Sequence, residues 1–330
     1  MTAVHSLLPW HQSAWRHLSL YIDQQRLPQA LLIYGQKGLG KQQLAEQLAY
    51  ALLCQARRPD YRHCGQCDSC LLLNAESHPD FLLIKPEEVG KAITIAQIRQ
   101  LLSSLTLKPH YDGFRVVMLN PAEQLNSAAA NAFLKGLEEP PERTIFILLS
   151  EKVEQLPATI RSRCQKLALA KPDRETHHAW LKQQHRLSEN LDLLYSLSQG
   201  APLVSLSYAN ENLLAQRQQC FKDWLALAKQ QSHPAIIAEN WQKVPEASLL
   251  FWLTTWLADL IKCGYRAPLE KLANPDFCSY LQELSQQLEL NQIFSLYDAL
   301  LNSRQKLNTT LNKLLMLEEI LIQWRQLNQR

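Results

Sequence analysis

The chain has 330 residues, of which 46% are hydrophobic and 20% are charged, and its formal net charge is +3. This length predicts two or three domains, and the composition is that of a globular protein with a sizeable core. The mild positive charge comes without a long Lys/Arg block, so it neither demands nor excludes nucleic acid. The N-terminus lacks a signal-peptide pattern and no apolar run is long enough to span a bilayer, so we expect a cytoplasmic protein without membrane contact.

The first half of the chain alternates short apolar runs with helical patterns. Runs rich in Leu, Ile, Val and Phe predict buried parallel strands at residues 30–34, 81–84, 114–119 and 144–149. Helices are predicted between them at residues 41–53, 96–105 and 127–139. Thr94 and Gln97 have the spacing of a capping box, and Pro140 ends the last of these helices. Strands that alternate with helices indicate a parallel α/β sheet.

The second half has a helical pattern. Short helices are predicted over residues 175–206, and a longer helix carries an apolar stripe at i, i+3, i+4 spacing over residues 249–261. Trp252, Trp256 and Trp324 lie in such stripes, so we expect them in a core rather than stacked on nucleic-acid bases.

A glycine-rich loop follows the first predicted strand and opens a helix. Gly35, Gly38, Gly40 and Lys41 form the pattern G-x-x-x-x-G-K, in which backbone N–H groups cradle phosphates and the lysine reaches the terminal ones. The next residue is Gln42, where a Ser or Thr hydroxyl normally holds Mg²⁺. The loop therefore predicts nucleotide binding with impaired metal placement, and a relic turn that binds no nucleotide is the alternative that the residues leave open.

The acidic residues that ATP hydrolysis requires are missing from the strand where they are expected. A P-loop ATPase carries one acidic residue that holds Mg²⁺ through water and another that orients the attacking water. The strand at residues 114–119 ends in Asn120 and Pro121, which carry no charge. Glu123 lies further along, and we expect it to point elsewhere.

Four cysteines lie close together in the first half of the chain. Cys64, Cys67 and Cys70 form C-x₂-C-x₂-C, and Cys54 lies near the end of the helix that follows the loop. Four thiolates can close a tetrahedral Zn²⁺ site, which has no open position for catalysis. The main alternative is an iron–sulfur cluster, although the C-x₃-C-P continuation of bacterial ferredoxins is not found here. His63 or His78 replacing one cysteine ranks lower.

Several segments resemble those of a known family. Residues 131–141 read NAFLKGLEEPP and resemble the N-A-x-L-K-x-L-E-E-P-P motif of AAA+ clamp-loader subunits, and residues 162–164 match that family's Ser-Arg-Cys motif. Residues 9–10 and 27–32 resemble the start of the delta-prime family of bacterial DNA polymerase III in particular. The resemblance is strong over residues 8–164 and moderate afterwards.

This resemblance implies a fold and a domain organisation. The implied fold class is an α/β AAA+ domain, with a P-loop and a RecA-like parallel sheet, followed by two helical domains. The AAA+ domain would cover residues 1–165, with a zinc-binding insertion at residues 54–70. A small helical lid would cover residues 166–207, and an all-α collar domain for oligomerisation would cover residues 208–330.

The resemblance also implies a function that involves neighbouring subunits. Arg163, from Ser-Arg-Cys, would reach the ATP site of an adjacent subunit as an arginine finger. Leu203 stands where hydrolysing relatives carry a sensor arginine. With Gln42 and Asn120, this departure implies a subunit without its own ATPase activity. Implied partners are the gamma/tau and delta subunits of a hetero-oligomeric ring and, through that complex, the sliding clamp and primer-template DNA. The alternative is an active ATPase motor subunit, which Gln42 and Asn120 disfavour.

Overall fold

The computed structural model describes residues 7–88, 90–111, 113–184, 190–210, 212–305 and 312–329. The chain divides into two compact units. The first runs to Trp180 and includes Ala201–Leu203; the second comprises Leu181–Gly200 and the residues from Val204 onward. Among the described helices, none combines the length and the apolar character that crossing a bilayer requires.

The first unit is built on a parallel sheet of five strands. The strands are β1 (Ala30–Tyr34), β2 (Phe81–Ile84), β3 (Arg115–Leu119), β4 (Thr144–Ser150) and β5 (Gln165–Ala168). Their spatial order is β2-β3-β4-β1-β5, and every pairing is parallel. The carboxyl ends of β3, β4 and β1 therefore lie side by side along one edge, where open α/β sheets bind their ligands.

Helices pack around this sheet and continue into the second unit. In chain order the first seven are α1 (Gln12–Asp23), α2 (Lys41–Leu53), α3 (Asp68–Asn74), α4 (Ile95–Ser104), α5 (Ser127–Glu138), α6 (Ala158–Arg163) and α7 (Arg174–Gln184). The others are α8 (Leu191–Leu197), α9 (Pro202–Asn210), α10 (Leu213–Ala228), α11 (Pro234–Trp241), α12 (Glu246–Gly264), α13 (Cys278–Ser285), α14 (Leu290–Gln305) and α15 (Lys313–Leu327).

Local sequence explains why the α/β unit forms where it does. Strands β1, β3 and β4 are buried almost throughout, as their continuous apolar runs predict. The predicted capping box of α4 is present: Thr94 Oγ1 accepts from Gln97 N at 3.4 Å, and Gln97 Oε1 accepts from Thr94 N at 2.9 Å. The predicted fold class, an AAA+ α/β domain followed by helices, is confirmed.

Helix α5 carries most of the motif at residues 131–141 and is held tightly against its neighbours. Phe133 on this helix and Phe146 on β4 meet edge to face, with ring centroids 5.2 Å apart. A Cβ atom on Gly136 would lie 2.7 Å from Leu102 Cδ2 of α4, so a larger residue there would have to displace the Leu102 side chain. These contacts with β4 and α4 set the position of the C-terminal end of α5.

The second unit has an aromatic core. Trp252, Trp256 and Trp324 are completely buried, as the apolar stripes predicted. Trp324 stacks on Trp224 with ring centroids 3.8 Å apart, and its indole N–H donates to Trp224 O at 2.9 Å. These tryptophans contribute packing rather than a surface for stacking nucleic-acid bases.

Candidate functional sites

The glycine-rich loop lies at the carboxyl edge of the sheet, between β1 and α2. Gly38 and Gly40 have φ values of 80° and 76°, in the left-handed region that glycine adopts without strain. A Cβ atom on Gly35 would lie 2.7 Å from Leu169 O, so the backbone passes too close for a larger residue. The strand–loop–helix context of a phosphate loop is therefore present.

The side chain of Lys41, the first residue of α2, contacts other residues of the same chain. Its side chain is only 8% exposed, and Nζ donates to Gln36 O at 2.9 Å and lies 3.6 Å from Glu151 Oε1. Burial lowers the pKa of Lys41, and the charges of Glu151 and Glu123 act in the opposite direction. Two oxygen atoms of the chain itself thus contact the nitrogen that a phosphate loop directs at its ligand.

Gln42 and Asn120 meet where a phosphate-loop ATPase holds its metal ion. Asn120 Nδ2, at the end of β3, donates to Gln42 Oε1 at 2.9 Å, and Gln42 Nε2 donates to Glu46 Oε1 at 2.8 Å. One hydrogen bond between two neutral amides therefore stands in place of a hydroxyl and a carboxylate. This arrangement supplies neither the negative charge nor the compact oxygen ligand that Mg²⁺ prefers.

Several residues at this edge escaped the sequence analysis. Glu151 directly follows β4, and its place at the end of a strand is the feature that could have identified it. Glu123, which we expected to point elsewhere, accepts from Glu151 N at 2.9 Å, so its carboxylate lies at the same edge. Trp10 Nε1 and His11 Nε2 donate to Leu39 O at 2.9 and 2.8 Å and fix the loop from the N-terminal side.

Leu203 contributes its backbone to the same loop. Its N–H donates to Gly38 O at 3.2 Å. An alkyl side chain at this position offers no charge to a phosphate, and the backbone contact instead stabilises the loop.

The four cysteines predicted as metal ligands lie together. Their sulfur atoms are all within 4.8 Å of one another, and the Cys54–Cys67 and Cys64–Cys70 pairs are both separated by 3.9 Å. A tetrahedral site with zinc–sulfur bonds of about 2.3 Å has sulfur atoms about 3.8 Å apart, so these residues fit the ion. Cys54 follows α2, and Cys67 precedes α3, so two helix ends position the site.

Backbone and burial act differently on the individual thiols. The N–H groups of Gln66 and Cys67 donate to Cys64 Sγ at 3.4 and 3.3 Å and lower the pKa of Cys64 to about 6. Burial raises the pKa of Cys54 and Cys70. A divalent cation supplies the positive charge that keeps such buried thiols ionised.

His78 supports the cysteine cluster without belonging to it. Its Nδ1 accepts from Asp80 N at 3.1 Å, and its Nε2 lies 2.8 Å from Ser69 Oγ, which in turn donates to Leu53 O at 2.7 Å. Both ring nitrogens are therefore engaged in hydrogen bonds. His63 also lies outside the set of converging sulfur ligands.

Arg163 lies away from the glycine-rich loop, at the opposite edge of the sheet. It ends α6 and directly precedes the region where β5 begins, and a cavity of about 350 Å³ beside it is lined by Ala30, the first residue of β1. A five-residue strand spans about 17 Å, which separates this edge from the loop that follows β1. Arg163 Nη2 donates to Glu138 Oε1 at 2.6 Å and Nη1 donates to Thr159 O at 2.9 Å.

The parallel sheet, its strand order and the glycine-rich loop after β1 define an AAA+ protein. A family model described as "DNA polymerase III, delta subunit" matches residues 10–173, and one described as "DNA polymerase III, delta subunit, C terminal" matches residues 211–326. Together these matches extend across both compact units.

Full-length relatives identify the family. DNA polymerase III subunit delta' of Pseudomonas aeruginosa is 35% identical over 97% of this chain and 98% of the relative. The corresponding protein of Escherichia coli is 30% identical over 95% and 94%, and that of Haemophilus influenzae is 33% identical over 78% of each. The chain belongs to the delta-prime family of DNA polymerase III subunits, which confirms the resemblance carried by residues 131–141 and 162–164.

A solved structure is similar only distantly. A gamma subunit-related protein of Thermotoga maritima DNA polymerase III aligns over 96% of this chain and 99% of its own, with 19% identity and a TM-score of 0.43. This likeness adds nothing to the assignment.

Gly40→Ala is expected to lower the free energy of unfolding more than Gly65→Ala. Both glycines have left-handed backbones, with φ of 76° and 79°, so either substitution costs about 1–2 kcal/mol of strain. A Cβ atom on Gly40 would also lie 2.6 Å from Leu8 Cδ1, whereas no atom of the described residues lies within 4 Å of one on Gly65. Overpacking should add about 1–3 kcal/mol at Gly40 alone. Denaturant unfolding measures both variants, and equal losses would contradict the close packing of the loop.

Proposed function

We propose that this chain is the non-hydrolysing delta-prime subunit of a clamp loader, which helps load the sliding clamp onto primed DNA. Membership of the delta-prime family supports a role within the DNA polymerase III complex. The observation that carries the non-hydrolysing role is the hydrogen bond between Asn120 and Gln42. Proposed partners are the gamma/tau and delta subunits, with the clamp and primer-template DNA contacted through the assembled ring.

The contacts of the glycine-rich loop argue against hydrolysis at this chain's own site. Mg²⁺ must bridge the β- and γ-phosphates and neutralise the charge that develops during phosphoryl transfer. The amides of Gln42 and Asn120 bond to each other, and Lys41 is held by Gln36 and Glu151. Gly35, Gly38 and Gly40 keep the loop geometry, but we propose that no magnesium–nucleotide complex is held there. An active motor subunit would need all of these contacts rearranged.

Arg163 is proposed to act on a neighbouring subunit. Because it lies at the amino edge of the sheet and the loop lies at the carboxyl edge, it cannot serve its own nucleotide site. A guanidinium group stays charged and offers planar N–H donors to phosphate oxygens. With 36% of its side chain exposed, Arg163 can meet an ATP molecule bound by an adjacent subunit.

The cysteine cluster is proposed to hold one structural Zn²⁺ ion. Cys54, Cys64, Cys67 and Cys70 would supply four thiolate ligands, which leaves no position for substrate or water. The ion would tie the end of α2 to the start of α3. The proposed role of the zinc ion is this structural cross-link alone, and the ion takes no part in ATP hydrolysis.

The collar role of residues 208–330 and the lid role of residues 166–207 remain proposals drawn from the family resemblance. Helices α10 to α15 carry the match to the C-terminal family model, which supports the first of them. Strand β5 extends to Ala168, so the sheet continues three residues beyond the boundary predicted at residue 165.

The purified protein should show no ATPase activity above background. The physical reason is the missing metal ligand at Gln42 and the missing carboxylate at Asn120. A coupled assay at saturating magnesium and ATP measures this directly. Steady turnover that disappears in the Lys41→Ala variant would contradict the proposal, since it would trace hydrolysis to this loop.

One zinc ion should be found per chain, and Cys67→Ser should reduce the zinc content and destabilise the first unit, because ligand binding supports the local fold. Elemental analysis and thermal unfolding of protein kept reduced measure the two effects. Cys278→Ser is the control, because Cys278 lies outside the cluster and should leave the zinc content unchanged. Iron in place of zinc, or metal-free reduced protein, would reject this site.

Arg163→Ala should leave the protein folded and ring assembly largely intact, while DNA-stimulated ATP hydrolysis by the reconstituted complex falls. An arginine finger in trans is worth about 10³–10⁵ in rate at the site it serves. The loss for the whole complex should be partial, because other subunits serve other sites. Lys should substitute poorly, since it lacks the planar fork.

Arg161→Ala is the matched control for this experiment, because Arg161 lies two residues earlier on the same helix α6. It should reduce hydrolysis less than Arg163→Ala does. If the Arg163→Ala complex hydrolyses ATP and loads clamps at the unmodified rate, Arg163 does not act in trans.

A further inference from the structure

The guanidinium of Arg163 is held by two oxygen atoms of its own chain. Glu138 Oε1 accepts from Nη2 at 2.6 Å, and the backbone oxygen of Thr159 accepts from Nη1 at 2.9 Å. An arginine has five N–H donors, and these two bonds use one on each terminal nitrogen. These contacts leave Nε–H and one further N–H on each terminal nitrogen to face a ligand.

Both residues that supply these oxygen atoms stand on helices anchored in the core. Glu138 is the last residue of α5, whose packing is set by Phe133 against β4 and by the close approach at Gly136. Thr159 lies on α6 next to Ile160, which is completely buried. Two helices with buried anchors thus set the position and the plane of the Arg163 guanidinium.

This ion pair is poorly placed to stabilise the fold. The side chains of Arg163 and Glu138 are 36% and 49% exposed, and ion pairs that exposed to water contribute little to stability. An arginine otherwise samples many rotamers, and ordering it at the moment of binding opposes the interaction. A contact that orders the side chain in advance should therefore affect the binding of a ligand by Arg163 more than it affects the free energy of unfolding.

We propose that Glu138 is a positioning residue for Arg163, and this rests on the proposed role of Arg163 in trans. Its carboxylate and the oxygen of Thr159 hold the guanidinium by one side, so that the remaining N–H groups point outward as a ready-made fork for the phosphate oxygens of ATP on an adjacent subunit. Glu138 touches neither nucleotide nor reacting atoms in this arrangement.

The opposite role for Glu138 makes an opposite prediction. If the carboxylate instead competed with phosphate for Arg163, removing it would free the arginine and speed hydrolysis. If it positions Arg163, removing it must slow hydrolysis, and an amide that keeps the hydrogen-bond acceptor should restore most of the rate. The sign of the change therefore separates the two roles.

The test uses the complete complex, reconstituted with this subunit as Glu138→Ala, Glu138→Gln, Arg163→Ala or the double variant Glu138→Ala/Arg163→Ala. Glu139→Ala is the control, because the neighbouring carboxylate is exposed and has no hydrogen bond to Arg163 among the described residues. The readouts are kcat and KM for ATP in DNA-stimulated hydrolysis. Thermal unfolding of each free subunit and the amount of assembled complex detect any purely structural effect.

Glu138→Ala should cause about half or more of the kcat loss that Arg163→Ala causes, with KM, unfolding temperature and assembly little changed. Glu138→Gln should retain most of the rate, and Glu139→Ala should match the unmodified complex. In the Arg163→Ala background, Glu138→Ala should add no further loss, because two residues acting through one guanidinium are not additive.

Three results overturn the positioning role while leaving the trans role of Arg163 intact. These are a Glu138→Ala complex as fast as the unmodified one, a faster one, and a loss that persists undiminished in the Arg163→Ala background. If Arg163→Ala itself has no effect, the trans role fails, and the positioning role fails with it.

Discussion

The proposed function depends on one hydrogen bond at the carboxyl edge of the sheet. Asn120 at the end of β3 and Gln42 at the start of α2 bond through their side-chain amides at 2.9 Å. In a phosphate loop these two places belong to the ligands of Mg²⁺. Because the two amides are neutral and bond to each other, the loop retains its glycine geometry without the electrostatics of phosphoryl transfer.

The two edges of the sheet therefore carry different groups. At the carboxyl edge, the loop is stabilised by hydrogen bonds to Leu39 O and Gly38 O, and the Lys41 side chain contacts Gln36 and Glu151 of its own chain. At the amino edge, α5 and α6 present a half-exposed Arg163 outward. This arrangement is consistent with the proposed role in a ring of unlike subunits.

The sequence predicts the features of this structure that depend on residues close together in the chain. Strands β1 to β4 are continuous apolar runs, the cap of α4 is a four-residue pattern, and the cysteines are close in the chain. Strand β5 was missed, since three of its four residues are exposed and it begins with the polar pair Gln165 and Lys166. Glu151 was missed and Glu123 misplaced because both depend on β4 lying between β3 and β1, and strand order is a property of the sheet rather than of any segment. The separation of Arg163 from the glycine-rich loop likewise depends on how the strands are arranged in the sheet.

Native mass spectrometry of the purified protein, with and without magnesium and ATP, tests most directly whether the loop is closed to its nucleotide. A loop in which Gln42 and Asn120 stand in place of the metal ligands and bond to each other, and in which Lys41 is held by Gln36 and Glu151, should give the same mass in both conditions. A nucleotide adduct that forms with ATP and is lost in the Lys41→Ala variant would contradict this account, because it would show that the contacts at Gln42 and Lys41 open to admit a ligand.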